Sequence, residues 1–429
     1  LMLSPLLLMT SLVVTASATS LPTPSPTMTA DERRSGVSLA LIYAFRMLGL
    51  FMVLPVFALE ARHYPGGESS TAVGIALGAY GLVQAALQIP FGMAADRWGR
   101  KRVIVLGLGL FALGSVVGLL ANHIWLLGLG RALQGGGAIS AAVTALLADQ
   151  TRDVVRTKGM ALIGASIGLS FALSLVVGPL LAAQGGLSLI FGVTAVLALL
   201  AMVVVLRITP AEPPLPKPHG AERPGFLFLL AKIDLIRLNI GVFMLYAVQI
   251  ATWVALPGLL LQAGVAAPDQ AWVYLPAVLL SFAVMGAGLF RLERKGWLKP
   301  VFLLSIVLVL VVELAWSELA RNDHGLLNAW FMGVLLLVFF CGFNVLEATQ
   351  PSLASRWAPP NSRGATLGIY NTLQSLGIFT GGAMGGWMVQ ALGHSALFLV
   401  NAVLLGVWFL AALHMPQVPG THQSGESNT

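Results

Sequence analysis

Four ionisable residues, Arg46, Arg131, Glu313 and Glu347, stand inside long apolar stretches of the chain. A charge in such surroundings costs on the order of several kcal/mol unless it is paired, faces a cavity or gives up its charge by taking or losing a proton. A carboxyl group held there can load a proton from one side and release it to the other, which makes Glu313 and Glu347 candidate proton carriers. Arg46 and Arg131 are candidates for cavity charge, with a structural salt bridge as the plainer reading of Arg46. Other chemistries find no residues. The single cysteine, Cys341, lies in an apolar run, which excludes a disulfide framework and a cysteine-based metal site. The chain has no HExxH, no GxxxxGK[ST] and no nucleophile with a base, and its seven histidines are mostly in turns or tails. We therefore expect no enzyme activity, no metal and no cofactor.

A second cluster lies at FGMAADRWGRKR, residues 91–102. Gly92 and Gly99 allow close backbone approach in a short turn. Asp96 is the only acid beside Arg97, Arg100, Lys101 and Arg102, and Arg100 or Arg97 would neutralise it most simply. Three readings compete: a nucleic-acid patch, a topology anchor, or part of a moving device.

The elements that carry these residues decide between them. The chain is 57% hydrophobic and 10% charged, against about 25% charged in soluble domains. Its apolar runs are long enough to cross a hydrocarbon core of about 30 Å, and too continuous for barrel strands, so they should be membrane helices. Twelve spans are expected near 37–59, 71–95, 103–121, 124–148, 159–183, 188–207, 239–261, 270–290, 300–320, 325–348, 365–390 and 394–414. Cations crowd the turns after spans 2, 4, 6, 8 and 10 and precede span 1, whereas the opposite face receives only Arg62 and Arg321. That asymmetry is the positive-inside pattern, so both termini should be cytoplasmic. Topology thus accounts for the net charge of +7, and no nucleic-acid partner is expected.

The proline-rich stretch TPAEPPLPKPHGAERPG after span 6 reads as a midpoint linker. Glu293-Arg294-Lys295-Gly296 after span 8 echoes Asp96-Arg97-Trp98-Gly99, and Arg363-Gly364 before span 11 echoes Lys158-Gly159 before span 5. Equal span counts and these echoes indicate two related six-helix bundles. The expected organisation is a disordered N-terminal extension (1–34), a first bundle (35–207), a linker (208–237), a second bundle (238–415) and a polar tail (416–429). Met28 reads as a natural start, with residues 1–27 an upstream extension more than a cleaved signal.

Gly92 to Arg102 resembles the signature between spans 2 and 3 of the major facilitator superfamily. Arg131-Ala-Leu-Gln134-Gly135-Gly136-Gly137-Ala138 in span 4 is similar to that family's second motif. Gly178-Pro179 in span 5 is similar to the motif of its drug/proton antiporter branch, although Ser174 stands where glycine is expected and Ala182-Ala183 replace a Gly-Gly pair. Within that branch, RMLGLFMVLP (46–55) and the region from span 2 to span 5 resemble YajR-type efflux transporters, which usually add a soluble C-terminal domain; here the polar tail THQSGESNT follows span 12.

The resemblance implies an all-α membrane protein of two pseudo-symmetric bundles in a bacterial inner membrane. It implies proton-coupled export of small amphipathic molecules by a monomer with no cofactor. An importer or uniporter of a nutrient on the same scaffold is the alternative, and a membrane-embedded enzyme is remote. Spans 1, 4, 7 and 10 of the superfamily line the cavity, which favours Arg46, Arg131 and Glu347 as cavity groups. Glu313 has the best depth for a proton relay but sits on a span expected to be peripheral, so depth and helix rank point to different acids. Drug antiporters of the branch often carry an acid in span 1, but MLGLFMVLP offers none. The coupling acid must then lie elsewhere, or Arg46 must act by displacing a proton from a partner acid. Asp96 should contact the N-terminus of span 11 when the cytoplasmic side closes, acting as a latch, and Asp149 should join the cluster by facing Arg97 or Arg100. Gly178 and Pro179 should kink span 5 at the interface between halves. Polar side chains one turn apart nominate Gln84 and Gln88, Tyr246 and Gln249, and Asn371 and Gln374 for the substrate cavity, with Trp253 as an apolar wall.

Overall fold

The computed structural model describes residues 27–212, 232–294, 297–321, 328–358 and 363–416. The first 26 residues, most of the linker, Lys295-Gly296 of the echo after span 8, and the tail from 417 lie outside the described residues. All the long elements are helices: α1 (Ala30–Met52), α2 (Phe57–Glu60), α3 (Ser70–Trp98), α4 (Arg100–Leu119), α5 (Ile124–Gly135), α6 (Ser140–Asp149), α7 (Asp153–Val203), α8 (Ile233–Gln262), α9 (Ala271–Arg294), α10 (Leu298–Arg321), α11 (Ala329–Trp357) and α12 (Arg363–Leu413).

These helices resolve into the twelve expected spans once three breaks are understood. The fifth and sixth spans run together as α7, whose direction changes at Gly185 and at Gly186 (φ 60°). The last two run together as α12 and turn at Gly393 (φ 85°). A side chain is strained in that left-handed region, so glycine is what permits each reversal. Span 4 is interrupted instead: α5 stops at Gly135 and α6 starts at Ser140. Gly136 and Gly137, with no side chain to favour the helix, leave a short non-helical step inside the membrane.

Several boundaries differ from expectation: α1 ends at Met52 rather than near 59, and α11 runs to Trp357 rather than to about 348. Helix α1 begins at Ala30, inside the stretch assigned to the extension, because Thr29 and Glu32 form a reciprocal cap: Glu32 N–H donates to Thr29 Oγ1 at 3.2 Å and Thr29 N–H to Glu32 Oε2 at 2.8 Å. Helix α8 begins at Ile233, several residues before the expected end of the linker.

Within the first half, α1 packs on α7, and α3 packs on α4 and α5; within the second, α8, α10 and α11 pack around α12. The halves meet through α3 and α12. Gly74, Gly78 and Gly81 on α3 lie against Gly382, Phe379 and Ser375 of α12 so closely that a Cβ on any of the three would strike the facing backbone. Gly74 and Gly78, and Gly382 and Gly386, are small residues four apart, the spacing that lets membrane helices approach at backbone distance. At the outer end of this seam, Gln390 Oε1 accepts from Ser69 Oγ at 2.8 Å and from Thr71 N–H at 3.0 Å. It thereby satisfies a free donor at the start of α3.

The same two helices separate toward the other, basic face. A Cβ at Gly92 on α3 or at Gly368 on α12 would meet nothing within 4 Å. The seam is in backbone contact at one end and leaves open space beside Gly92 and Gly368 at the end that bears the basic turns.

Candidate functional site: a basic-face cluster and three buried polar groups

Gly99 (φ 98°) ends α3 and lets α4 begin at the next residue, which brings Arg100 under the first half. Arg100 Nη1 pairs with Asp149 Oδ2 at 2.8 Å, as the sequence suggested, whereas its Nη2 is 3.9 Å from Asp96 Oδ1. The second separation is too long for a hydrogen bond. The Asp96 side chain is 61% exposed against 26% for Asp149, so Arg100 belongs to Asp149 and Asp96 is left facing the opening. Burial pushes the Asp149 carboxyl above the ordinary aspartate range, with Arg100 opposing. Arg97 and Arg102 are exposed.

Sequence reasoning missed Glu212. It reaches back from the end of the first half and accepts from the backbone N–H of Arg100 at 2.6 Å and of Lys101 at 3.2 Å. A carboxylate at a helix N-terminus satisfies orphan donors and complements the helix dipole. Lys101 Nζ donates to the Thr209 carbonyl at 2.7 Å, so the basic turn is sewn to the end of span 6. Glu32, likewise unforeseen, pairs with Arg152 at 2.7 Å and ties α1 to the turn before α7.

The two arginines lie deep in the first half, 0% and 1% exposed. Arg46 Nη2 donates to Tyr80 Oη at 2.9 Å, and its guanidinium is 5.9 Å from the Phe111 ring centroid. Arg131 lies 4.9 Å from the Tyr80 ring centroid and donates to Gln134 Oε1 at 2.8 Å. The salt bridge considered for Arg46 is not formed: its partner is the Tyr80 hydroxyl, and three nitrogens of the pair, Arg46 Nε and Nη1 and Arg131 Nε, find no acceptor among the described residues. Arg46 also has no partner acid there whose proton it could displace, because the carboxyl groups at membrane depth belong to the second half.

In that half, Glu313 on α10 is fully buried between Thr252 Oγ1 of α8, at 2.7 Å, and Asn401 Nδ2 of α12, at 3.1 Å. Glu347 on α11 is half-buried and accepts from Tyr246 Oη at 2.9 Å. Phe343 meets the Tyr246 ring edge-on at 6.1 Å, and Tyr370 and Gln374 lie beside the pair. Of the nominated cavity residues the structure therefore gathers Tyr246, Gln374 and Glu347.

The others are dispersed. Gln249 is buried, and Trp253, 2% exposed, is packed edge-on against Tyr274 at 5.3 Å inside the second half, not on an opening. Gln84 and Asn371 are half-buried, and Gln88 is buried with an unpartnered Nε2. Thr252, Asn401 and Tyr80 were readable only as polar residues in apolar helices, without the crossing geometry that pairs them.

Gly178 and Pro179 also differ from expectation. Span 5 stays helical through both, and the non-helical residues of α7 are Gly185 and Gly186. A Cβ at Gly178 would stand 2.5 Å from the Met52 carbonyl oxygen, so the motif seats span 5 on span 1 within one half. The neighbouring helix within the same half supplies a reason for the small residue.

Comparison with known proteins agrees with this architecture. A family model described as Major Facilitator Superfamily matches residues 39–345 and 238–428. The inner membrane transport protein YajR of Escherichia coli (strain K12) is 40% identical over 395 residues, 91% of this chain and 85% of that protein. The enterobactin exporter EntS of Shigella flexneri is 28% identical over 74% of this chain and 76% of its own length. Among solved structures, the nucleoside transporter NupG (D323A mutant) superposes with a TM-score of 0.71 at 14% identity, covering 89% of this chain and 99% of that one. The chain is a membrane transporter that belongs to the Major Facilitator Superfamily.

Proposed function

We propose that this transporter exports small amphipathic molecules in exchange for protons by alternating access, with both termini in the cytoplasm of a bacterial inner membrane. The observation that carries the reading is the α3–α12 seam, in backbone contact at one end and separated at the other. The positive-inside pattern assigns the open, basic face to the cytoplasm, so the arrangement described is the one that would collect cargo from inside. EntS, a more distant relative, is an exporter by name.

Glu347 is the acid we assign to the proton. It is half-buried beside Tyr246 on a span expected to line the cavity. Glu313 is sealed, and its hydrogen-bond count suits a structural carboxylic acid. Thr252 has a single hydroxyl hydrogen, yet both the Val248 carbonyl (2.8 Å) and Glu313 (2.7 Å) lie within reach. A protonated Glu313 donating to Thr252, which donates to Val248, satisfies all three.

The reading is tested in proteoliposomes carrying an imposed pH gradient, by screening compounds for flux that the gradient drives. A protonophore is expected to abolish that flux; flux unaffected by collapsing the gradient overturns proton exchange. Closure of the opposite face can be tested separately. Cysteines in place of Ser69 and Gln390, in a Cys341→Ser background, should be bridged by a short bifunctional thiol reagent. Once bridged, the chain is expected to lose transport by more than tenfold, and full transport after complete bridging would show that this contact need not open.

A further inference from the structure

The buried positive charge of the first half meets no counter-charge among the described residues. Arg46 and Arg131 touch Tyr80, Phe111 and Gln134, and Gln134 passes its own hydrogen bond to Ser115, which donates to the Phe111 carbonyl. Every link in that chain is neutral. Arginine cannot discharge itself by losing a proton at accessible pH. Enclosing two guanidiniums with three idle nitrogens is therefore costly unless an anion joins them.

The backbone adds positive character at the same place. Arg131 lies near the end of α5, one turn before the break in span 4, and α6 starts beyond the break as a ten-residue half-helix whose N-terminus has no side-chain cap. Ile139 and Ala142 at that start are each 1% exposed, and Ser140 and Ala141 between them are half-buried. Tyr43, one turn before Arg46 on α1, donates to the Ser140 carbonyl at 3.2 Å, which sets the Tyr43–Arg46 face of α1 against the start of α6. A half-helix N-terminus inside the membrane attracts anions through its free N–H groups and its dipole.

We propose that the break in span 4, with Arg46, Arg131 and the N-terminus of α6, is an anion site that holds the carboxylate of the transported molecule. The cargo is thus a small amphipathic organic anion; this part rests on the transport reading above. Both arginines are enclosed in the arrangement described, and the break lets α5 and α6 shift separately when the site loads. A division of labour follows: the first half takes the anion, and the acid of the second half takes the proton.

Thermal unfolding of the purified full chain in detergent, in a low-salt sulfate buffer free of carboxylates and chloride, tests the site with benzoate, benzylammonium and chloride as probes. Benzoate is expected to raise the midpoint saturably and benzylammonium to leave it unchanged. Arg46→Gln and Arg131→Gln should each weaken the apparent benzoate affinity by tenfold or more. If those variants do not fold, Arg46→Lys and Arg131→Lys keep the charge but lose the planar fork, and the same weakening is expected. Equal stabilisation by benzoate and benzylammonium, or unchanged affinity in the foldable arginine variants, overturns the site. A shift by chloride that benzoate neither reproduces nor competes with identifies a resident inorganic ion and overturns the carboxylate cargo. Because binding needs no gradient, a chain that binds benzoate yet shows gradient-independent flux refutes proton exchange alone.

Discussion

Glu347→Gln is expected to abolish gradient-driven transport while leaving the fold, and exchange of substrate across liposomes without a gradient, in place. The argument is one of matched geometry. Glutamine keeps a carbonyl oxygen where Glu347 accepts from Tyr246 Oη at 2.9 Å, so the α8–α11 contact survives, but it has no proton to carry. Flux driven by an imposed pH gradient should fall at least a hundredfold, to the level of protein-free liposomes, whereas counterflow of preloaded substrate should persist within a few-fold. The corresponding Glu313→Gln change can keep both contacts, its amide N–H donating to Thr252 and its carbonyl oxygen accepting from Asn401. Gradient-driven flux should then stay within a few-fold of that of the parent protein. If Glu347→Gln still accumulates substrate against a gradient while Glu313→Gln does not, the assignment of the two acids is reversed.

Asp96→Asn should reduce transport by tenfold or more with expression unaltered. In the arrangement described, Asp96 is 61% exposed and only loosely held, because Arg100 is engaged by Asp149 at 2.8 Å. The substitution therefore costs this state little. We propose that its effect falls on the alternative state, in which closure of the basic face would bring Asp96 to the start of span 11. A carboxylate at a helix N-terminus contributes about 0.3–1 kcal/mol on a surface and up to ~2 kcal/mol when partly buried. Losing that amount would shift a balanced two-state equilibrium by up to roughly thirtyfold toward the open basic face. Accessibility of a cysteine placed at Gly368, where a Cβ would have no neighbour within 4 Å, reports the shift: thiol labelling from the basic face should rise in the Asp96→Asn background. Normal transport with unchanged labelling would remove the latch.

Much of this was legible in one dimension. Hydropathy located the spans, and the skew of cations located the basic face, because insertion energy and loop charge accumulate residue by residue along the chain. The pairing of Asp149 with the basic turn was also readable, since Arg100 and Asp149 sit at the ends of spans 2–3 and 4 on the same face. The capping box at Thr29 was a local signal too, although the polar start of α1 drew the expected boundary past it.

What escaped were contacts between residues far apart in sequence. Nothing in the neighbourhood of Arg46 announces Tyr80, nor does Glu313 announce Asn401, 88 residues away. Trp253 looked like a cavity wall and proved to be interior, because a helix buried on most of its surface shows no apolar stripe from which its exposed side could be read. The close approach of Gly178 to the Met52 carbonyl was likewise invisible in the sequence.

The sequence by itself thus determined how many times the chain crosses the membrane, which face carries the positive charge, and which rare charges sit at depth, all of which follow from additive transfer energies. Tertiary structure decided which face of the seam is closed and which charge meets which partner. Those outcomes depend on where helices cross, and crossing is governed by glycines such as Gly74, Gly78 and Gly382 that allow backbones to touch. Through that packing the arginines came to share a half with no acid at their depth among the described residues, and Glu347 was left beside Tyr246 in the other.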